Sequence, residues 1–249
     1  PMARWYIIHA YSGFENKVKE AILAEAERMG LEALVEQVEV PTETVTEVKR
    51  VLQSVANNSK LGNGVPVVAK GRWRGMAAFT LTLEERATCP STCTMWADCY
   101  GNNLRFATRI SSVDMDSLQE RLETEVKALL RTYGRILVRL HVLGDFATKG
   151  YAEFWARMMR EHKGLHIFGF THWARGSEVG RAIAEMNQEA AGRSWVRFSN
   201  VGGPMSANVI GRGHDGEGVT CPEQTGKTDS CMTCGLCWAT EKPVLFLAH

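Results

Sequence analysis

Seven cysteines fall into two sets, Cys89, Cys93 and Cys99 in one and Cys221, Cys231, Cys234 and Cys237 in the other. Thiolates hold zinc ions and iron-sulfur clusters, and their number decides what such a centre can do. Four close the coordination sphere; three leave one position for an exogenous ligand or a substrate. The second set therefore reads as a site that supports a fold or relays electrons, and the first as one that can do chemistry. An odd cysteine count, crowded into short windows of a 249-residue chain, favours reduced metal-binding thiols over a disulfide framework.

Spacing refines each reading. Cys231, Cys234 and Cys237 form C-x2-C-x2-C with Cys221 upstream as a fourth ligand, an arrangement of ferredoxin type. Zinc ribbons instead bring two C-x2-C knuckles from separate hairpins, so a [4Fe-4S] cluster is favoured here, with a zinc staple as the alternative. The first set, in TCPSTCTMWADCYGNN, has gaps of three and five residues on an irregular loop. Three thiolates on such a loop can converge on a second [4Fe-4S] cluster, with Trp96 and Tyr100 shielding it. The alternatives are a zinc knuckle completed by His141 or His214, and thiols that bind nothing.

The elements that position these loops alternate. Strands are expected over 76–83, 136–143, 165–171, 195–199 and 243–248, and helices over 118–133, 151–162 and 177–191. Repeated β-α units imply parallel strands with right-handed crossovers, and the reading is an α/β fold with a partial (β/α) barrel carrying cysteine-rich metal loops. The first cysteine loop directly follows a strand. Gly144 and Asp145 follow the next, Thr171 and His172 the one after, and Ser199 and Asn200 a fourth. Polar residues at several strand ends are expected to share one mouth, with Asp145 and His172 in catalytic contact and Gly144, Asp145, Thr171 and Asn200 binding a cofactor. The competing reading makes Asp145 a turn carboxylate or helix cap.

Ahead of this domain, a strand over 4–10, a helix over 14–29 and a strand over 33–40 form a small β-α-β segment. Residues 51–75, rich in glycine and asparagine, read as a connector, which gives segments 1–50, 51–75 and 76–249. Within the connector, GRWRG (Arg72, Trp73, Arg74) offers an aromatic and two cations to a nucleic acid, although a short basic loop is more often merely solvated. With 29 basic against 28 acidic residues, the formal charge of +1 advertises no polyanionic partner. No signal peptide or membrane-spanning run is evident, and a cytoplasmic protein is expected.

Three resemblances add to this. WYIIHAYSGFENKVKEAI and VPTETVTEVKR resemble the opening of the N-terminal domain of the transcription factor NusG, which implies that residues 1–50 contact RNA polymerase. The three-cysteine loop after the first barrel strand looks like that of radical S-adenosylmethionine enzymes, whose usual spacing is C-x3-C-x2-C where this chain has C-x3-C-x5-C. That likeness implies a site-open [4Fe-4S] cluster on Cys89, Cys93 and Cys99, S-adenosylmethionine as cofactor, an external electron donor, and an auxiliary cluster at the C-terminal cysteines. KLGNGV, TCPSTCTMWADCY, LGDF, FGFTHW and CPEQTGKTDSC resemble a cysteine-rich phage family, the gene-product-eighty-eight family, over about residues 60–249. The expected function is thus that of an iron-sulfur protein, with an enzyme of the radical S-adenosylmethionine type as its finer form. The rival is a NusG-like binder of RNA polymerase with purely structural metal sites.

Overall fold

A computed structural model describes residues 15–35, 38, 50–97, 99–104, 107–211, 213 and 216–248. The strand expected over 4–10, most of that over 33–40, and His214 lie outside the described residues, as does the side chain of Tyr100. The chain divides into two compact units, 1–49 and 50–249.

In the first unit, helix α1 (Glu15–Arg28) ends in a turn dictated by Gly30. Gly30 has φ +64°, its amide donates to Glu27 O at 3.0 Å, and the Leu31 amide reaches back to Ala26 O at 2.9 Å. A left-handed residue with this pair of bonds satisfies carbonyls that the last helical turn would otherwise leave open. Ala33 and Leu34, expected to begin a strand, lie in a 3-10 turn over Glu32–Leu34.

The second unit is built on one sheet of eight strands: β1 (Gln53–Ser54), β2 (Ala77–Thr80), β3 (Ile136–Leu140), β4 (Leu165–Thr171), β5 (Ser194–Ser199), β6 (Ser206–Ile210), β7 (Val219–Thr220) and β8 (Val244–Leu247). Their spatial order is β1-β2-β3-β4-β5-β6-β8-β7, parallel throughout except for antiparallel β1. Helices α2 (Met115–Tyr133), α3 (Lys149–Glu161) and α4 (Glu178–Glu189) connect β2 to β5, and neighbouring helices pack side by side in the same order. Each helix starts on a short polar side chain that accepts from the third residue on: Asp114 from Ser117 N at 3.0 Å, Thr148 from Tyr151 N at 3.1 Å, Ser177 from Gly180 N at 3.0 Å. The expected barrel is an open sheet among the described residues, with β1 and β7 at its two ends and no pairing between them.

A parallel sheet needs cover on both faces. Helices α2 to α4 cover one. The other is covered by residues 51–75 and the C-terminal cysteine turn: Val55, Leu61, Val68, Trp73, Met232 and Trp238 pack with Ala78, Leu137, Phe168 and Trp195 of the strands. The connector reading of 51–75 is therefore corrected, because its scattered apolar residues, unspaced for helix or strand, are sheet cover. The Glu125 carboxylate of α2 fixes where this cover begins, accepting from Val51 N at 2.5 Å and Leu52 N at 2.8 Å. Trp73 is only 4% exposed, edge-on to His166 at 4.8 Å between ring centroids and stacked on Trp238 at 6.0 Å. This removes the ring of GRWRG from any nucleic-acid surface.

Trp73→Ala should cost about 3–5 kcal/mol of unfolding free energy, whereas exposed Arg74→Ala should stay within about 0.5 kcal/mol. Urea denaturation followed by tryptophan fluorescence checks both; equal effects would deny Trp73 its core role.

Candidate functional site

The loop between β2 and α2 carries Cys89, Cys93 and Cys99, and charged side chains hold its shape. Arg109 forks onto Glu85 with two bonds of 2.7 Å and spends its remaining donors on the carbonyls of Gly101, Leu104 and Ala107 at 2.9–3.2 Å. Gly101 lies so close to Glu85 that a Cβ would stand 2.6 Å from Oε1, so a larger residue there would displace the carboxylate that Arg109 holds. Arg86 donates to Trp96 O and to Asn102 Oδ1, tying the middle of the loop to its end. Trp96 itself is 38% exposed rather than a shield.

All three thiols are free and half-buried, within electrostatic reach of one another. Burial pushes Cys89 up to about 11, and the charges of Asp145, Cys93 and Cys99 add to this against the opposing Arg86 amide. Cys93 is raised first by burial and then by Asp145 and Cys99, with the Met95 amide opposing. Thiols so placed resist ionisation unless a cation takes their charge.

Asp145, in the loop five residues past the end of β3, lies within electrostatic reach of Cys89 and Cys93 and is 3% exposed. Its carboxylate accepts from Phe146 N at 2.7 Å and His172 N at 2.8 Å, and its own amide donates to Thr88 Oγ1 at 3.1 Å, one residue before Cys89. One residue thus joins the loop after β3 and the end of β4 through its side chain, and the root of the cysteine loop through its amide. Burial raises its pKa to about 7 against the pull of the His172 and Phe146 amides, the Thr171 hydroxyl and Arg139. Gly144 cannot be replaced, since φ is +80° and a Cβ would stand 2.6 Å from Thr88 Oγ1. Thr171 is fully buried; His172 is half-buried with Nε2 unpartnered and its pKa lowered by desolvation. Asn200, just past β5 with φ +54°, donates to Thr94 Oγ1 at 2.9 Å and so meets the loop between Cys93 and Cys99.

The sequence candidates Cys89, Cys93, Gly144, Asp145, Thr171, His172 and Asn200 are therefore brought to the C-terminal ends of the parallel strands. His141 is not. Its Nε2 is 3.2 Å from Tyr151 Oη, its ring stands edge-on to Phe146 at 5.0 Å, and desolvation lowers its pKa to about 3. It does not complete a zinc knuckle, because an apolar aromatic niche claims the ring.

The second cysteine set lies on the sheet face opposite the helices. Cys221, Cys231, Cys234 and Cys237 line one small hollow together with Gly235 and Trp238. A reciprocal Ser230–Thr233 cap starts the turn α5 (Cys231–Cys234), and left-handed Gly235, φ +76°, folds the chain back toward Cys237. Cys231 N and Met232 N donate to the carbonyls of Lys60 and Leu61 at 3.0 and 2.9 Å. Arg197 of β5 holds the other side through the carbonyls of Cys237, Ser206, Lys242 and Thr240. Burial raises Cys231, Cys234 and, to about 11, Cys237, the last against the opposing Arg197 and Arg139. Among the described residues, no three His, Cys, Asp or Glu side chains are drawn close enough to hold a metal ion. Sequence reasoning missed Arg109, Glu85, Thr88 and Arg197. Arg197 had one signal, a charge within the otherwise apolar strand WVRFS.

Residues 48–189 match the model of the family described as Gene product 88. The chain belongs to the Gene product 88 family. The match spans β1 to α4 and includes the first cysteine loop, Asp145 and His172. Residues 3–65 of this Gene product 88 protein also match the model for transcription termination factor nusG. Curated relatives of that part are transcription termination/antitermination proteins NusG. That of Bacillus subtilis is 44% identical over 45 residues, 18% of this chain and 25% of the relative. That of Lactococcus lactis is 42% identical over 55 residues, 22% and 30%, and that of Streptomyces coelicolor 37% over 57, 23% and 19%. The chain thus spans about a quarter of the length of the curated relatives it matches. No solved structure matches.

Asp145 makes stability depend on pH in a defined window. Its folded pKa lies above the ordinary 3.8, so its stabilising contribution is complete below that value and is lost as pH rises through about 7. Asp145→Asn should flatten this decline, which amounts to at most roughly 4 kcal/mol. Urea midpoints at pH 4.5 and 7.5 check it; an unchanged slope would mean the carboxyl ionises normally.

Proposed function

We propose that this is an iron-sulfur protein of the Gene product 88 family, with a closed cluster site at Cys221, Cys231, Cys234 and Cys237 and an open one at Cys89, Cys93 and Cys99. The observation that carries the reading is that four thiols line one hollow, while Cys89 and Cys93 lie within electrostatic reach of a buried carboxyl past the strand ends. The donor set fits the group. A single zinc draws its thiolates to about 2.3 Å from one point. The C-terminal thiols line one hollow, and four cysteines in one lining are a ligand set of the right kind and number for a cubane. The Leu236 amide at Cys234 and the Met95 amide at Cys93 supply the backbone donors that cluster ligands use.

As an enzyme, the protein would belong to the radical S-adenosylmethionine type. A cluster held by Cys89, Cys93 and Cys99 would supply one electron, taken from an external donor, for reductive cleavage of the sulfonium cofactor. The chain's own residues have separable tasks there. Asp145 orients the mouth through the His172 amide and keeps a carboxyl available at its floor. Unpartnered His172 Nε2 is free to take a hydrogen bond from cofactor or substrate. Asn200 ties the far rim to Thr94, so that the loop roofs the mouth. Free thiols suit a reducing, cytoplasmic setting, and among the described residues no helix is long and apolar enough to cross a membrane.

A second reading is favoured by the NusG-like opening alone: residues 1–49 contact RNA polymerase, and the cysteine sites are structural. The full chain should then retain RNA polymerase from a cell extract in a salt-resistant pull-down, and recovery no better than a bait-free control ends that reading.

Anaerobically purified chain should contain about eight irons and eight sulfides, two cubanes' worth. Cys234→Ser and Cys93→Ser should each remove about four of each. Zinc without sulfide would overturn the iron-sulfur reading.

A further inference from the structure

Arg197 presents a problem of charge. Its side chain is 0% exposed, yet none of the ion pairs among the described residues involves it. Its donors go to backbone carbonyls: Nε to Cys237 at 3.1 Å, Nη1 to Lys242 at 2.9 Å and Ser206 at 3.3 Å, and Nη2 to Thr240. Carbonyl dipoles satisfy hydrogen bonds but leave the unit charge in place, and a buried charge without a counter-ion is strongly unfavourable. Glu241 acts on the guanidinium only at longer range, after Cys237. A second cation stands on the same face. Arg139 of β3 lies over the rings of Phe168 and Phe170, at 5.4 and 4.6 Å from their centroids, and its charge reaches both Cys231 and Cys237.

Phe170 is the register partner of Arg197 and Phe168 that of Arg139, so the two arginines flank β4 from either side. Neither lines the hollow of Cys221, Cys231, Cys234 and Cys237, but the charges of both reach Cys237, and that of Arg139 also reaches Cys231. Four thiolates around a core of charge 2+, whether one zinc ion or an oxidised cubane, leave a net charge of 2−. Fully buried Arg197 and half-buried Arg139 bring positive charge to such a centre; four neutral thiols give Arg197 no counter-charge.

We infer that Arg197 and Arg139 are the built-in counter-charges of a dianionic metal-thiolate centre in the C-terminal hollow, and that Arg197 also positions its fourth ligand through the Cys237 carbonyl. This rests on the metal-site reading above, and it assigns to the C-terminal site a requirement for charge that the cysteines alone do not reveal. Arg197 is a positioning residue with two separable contributions, a fork of donors and a charge. Lysine keeps the charge and loses the fork; glutamine loses the charge and keeps part of the donor set.

The test uses the full chain carrying Cys93→Ser, so that only the C-terminal site is loaded, purified anaerobically alone and with Arg197→Lys, Arg197→Gln or Arg139→Gln. Iron, sulfide and zinc are quantified, metal release to a chelator is timed, and any iron centre is titrated with dithionite. Both glutamine variants should release metal roughly 10- to 100-fold more readily, with Arg197→Lys between them and the parent. The midpoint of an iron centre should fall in both, because adding an electron makes the centre more negative where a positive charge has been removed. Metal in the parent with unchanged release and midpoint in Arg139→Gln overturns the counter-charge inference and leaves the metal site standing. No metal in the parent overturns the site itself. Arg139 is not wired into the C-terminal turn by the four carbonyl bonds that Arg197 makes, so Arg139→Gln decides the matter should Arg197→Gln fail to fold.

Discussion

A parallel sheet buried on both faces is the constraint on which the rest of this structure depends. Strands β2 to β5 are almost wholly buried, and three helices are enough for only one side. The chain meets the remaining demand with irregular segments instead of more helices. Residues 51–75 and the cysteine turn after β7 lie over Ala78, Leu137, Phe168 and Trp195, joined by the bonds from Cys231 and Met232 to Lys60 and Leu61. The C-terminal cysteines are therefore part of the molecule's second layer, and the order of their turn is tied to the order of the sheet.

The same architecture explains how polar groups persist in the interior. Asp145 survives burial because two amides meet its oxygens, and the strand ends that supply them are spaced by the sheet's own register. The Arg197 donors are met by three carbonyls of the chain before β8 and by that of Ser206 in β6. In each case the backbone replaces the hydrogen bonds of water, and the side chain in return fixes loops that regular hydrogen bonding does not reach.

Much of the central fold was legible. Helices α2 to α4 announce themselves through Asp114, Thr148 and Ser177, each followed by a periodic apolar stripe, and β4 was recovered over its whole length, 165–171. The assembly of candidate residues at the strand ends was legible too, because parallel β-α units bring successive strand ends to one edge. What stayed hidden was long-range and irregular. Val55, Leu61 and Trp73 carry no period, so their burial is visible only once a sheet exists to receive them. Strand β6 follows a glycine-rich turn and reads Ser-Ala-Asn-Val-Ile, too polar at its start to suggest pairing with β5. His141 looked available because its neighbours in sequence are not its neighbours in space; Tyr151 reaches it from the following helix.

The carboxylate of Glu125, closing on the amides of Val51 and Leu52, has a meaning for ancestry as well as for folding. It holds the start of the second unit to that unit's own helix, within the stretch 48–65 that the two family likenesses share. A recombination event cutting just upstream of that clasp would hand over an intact sheet-forming module, whatever had been spliced ahead of it. The stretch that both likenesses claim thus already carries hydrogen bonds belonging to the sheet-forming module.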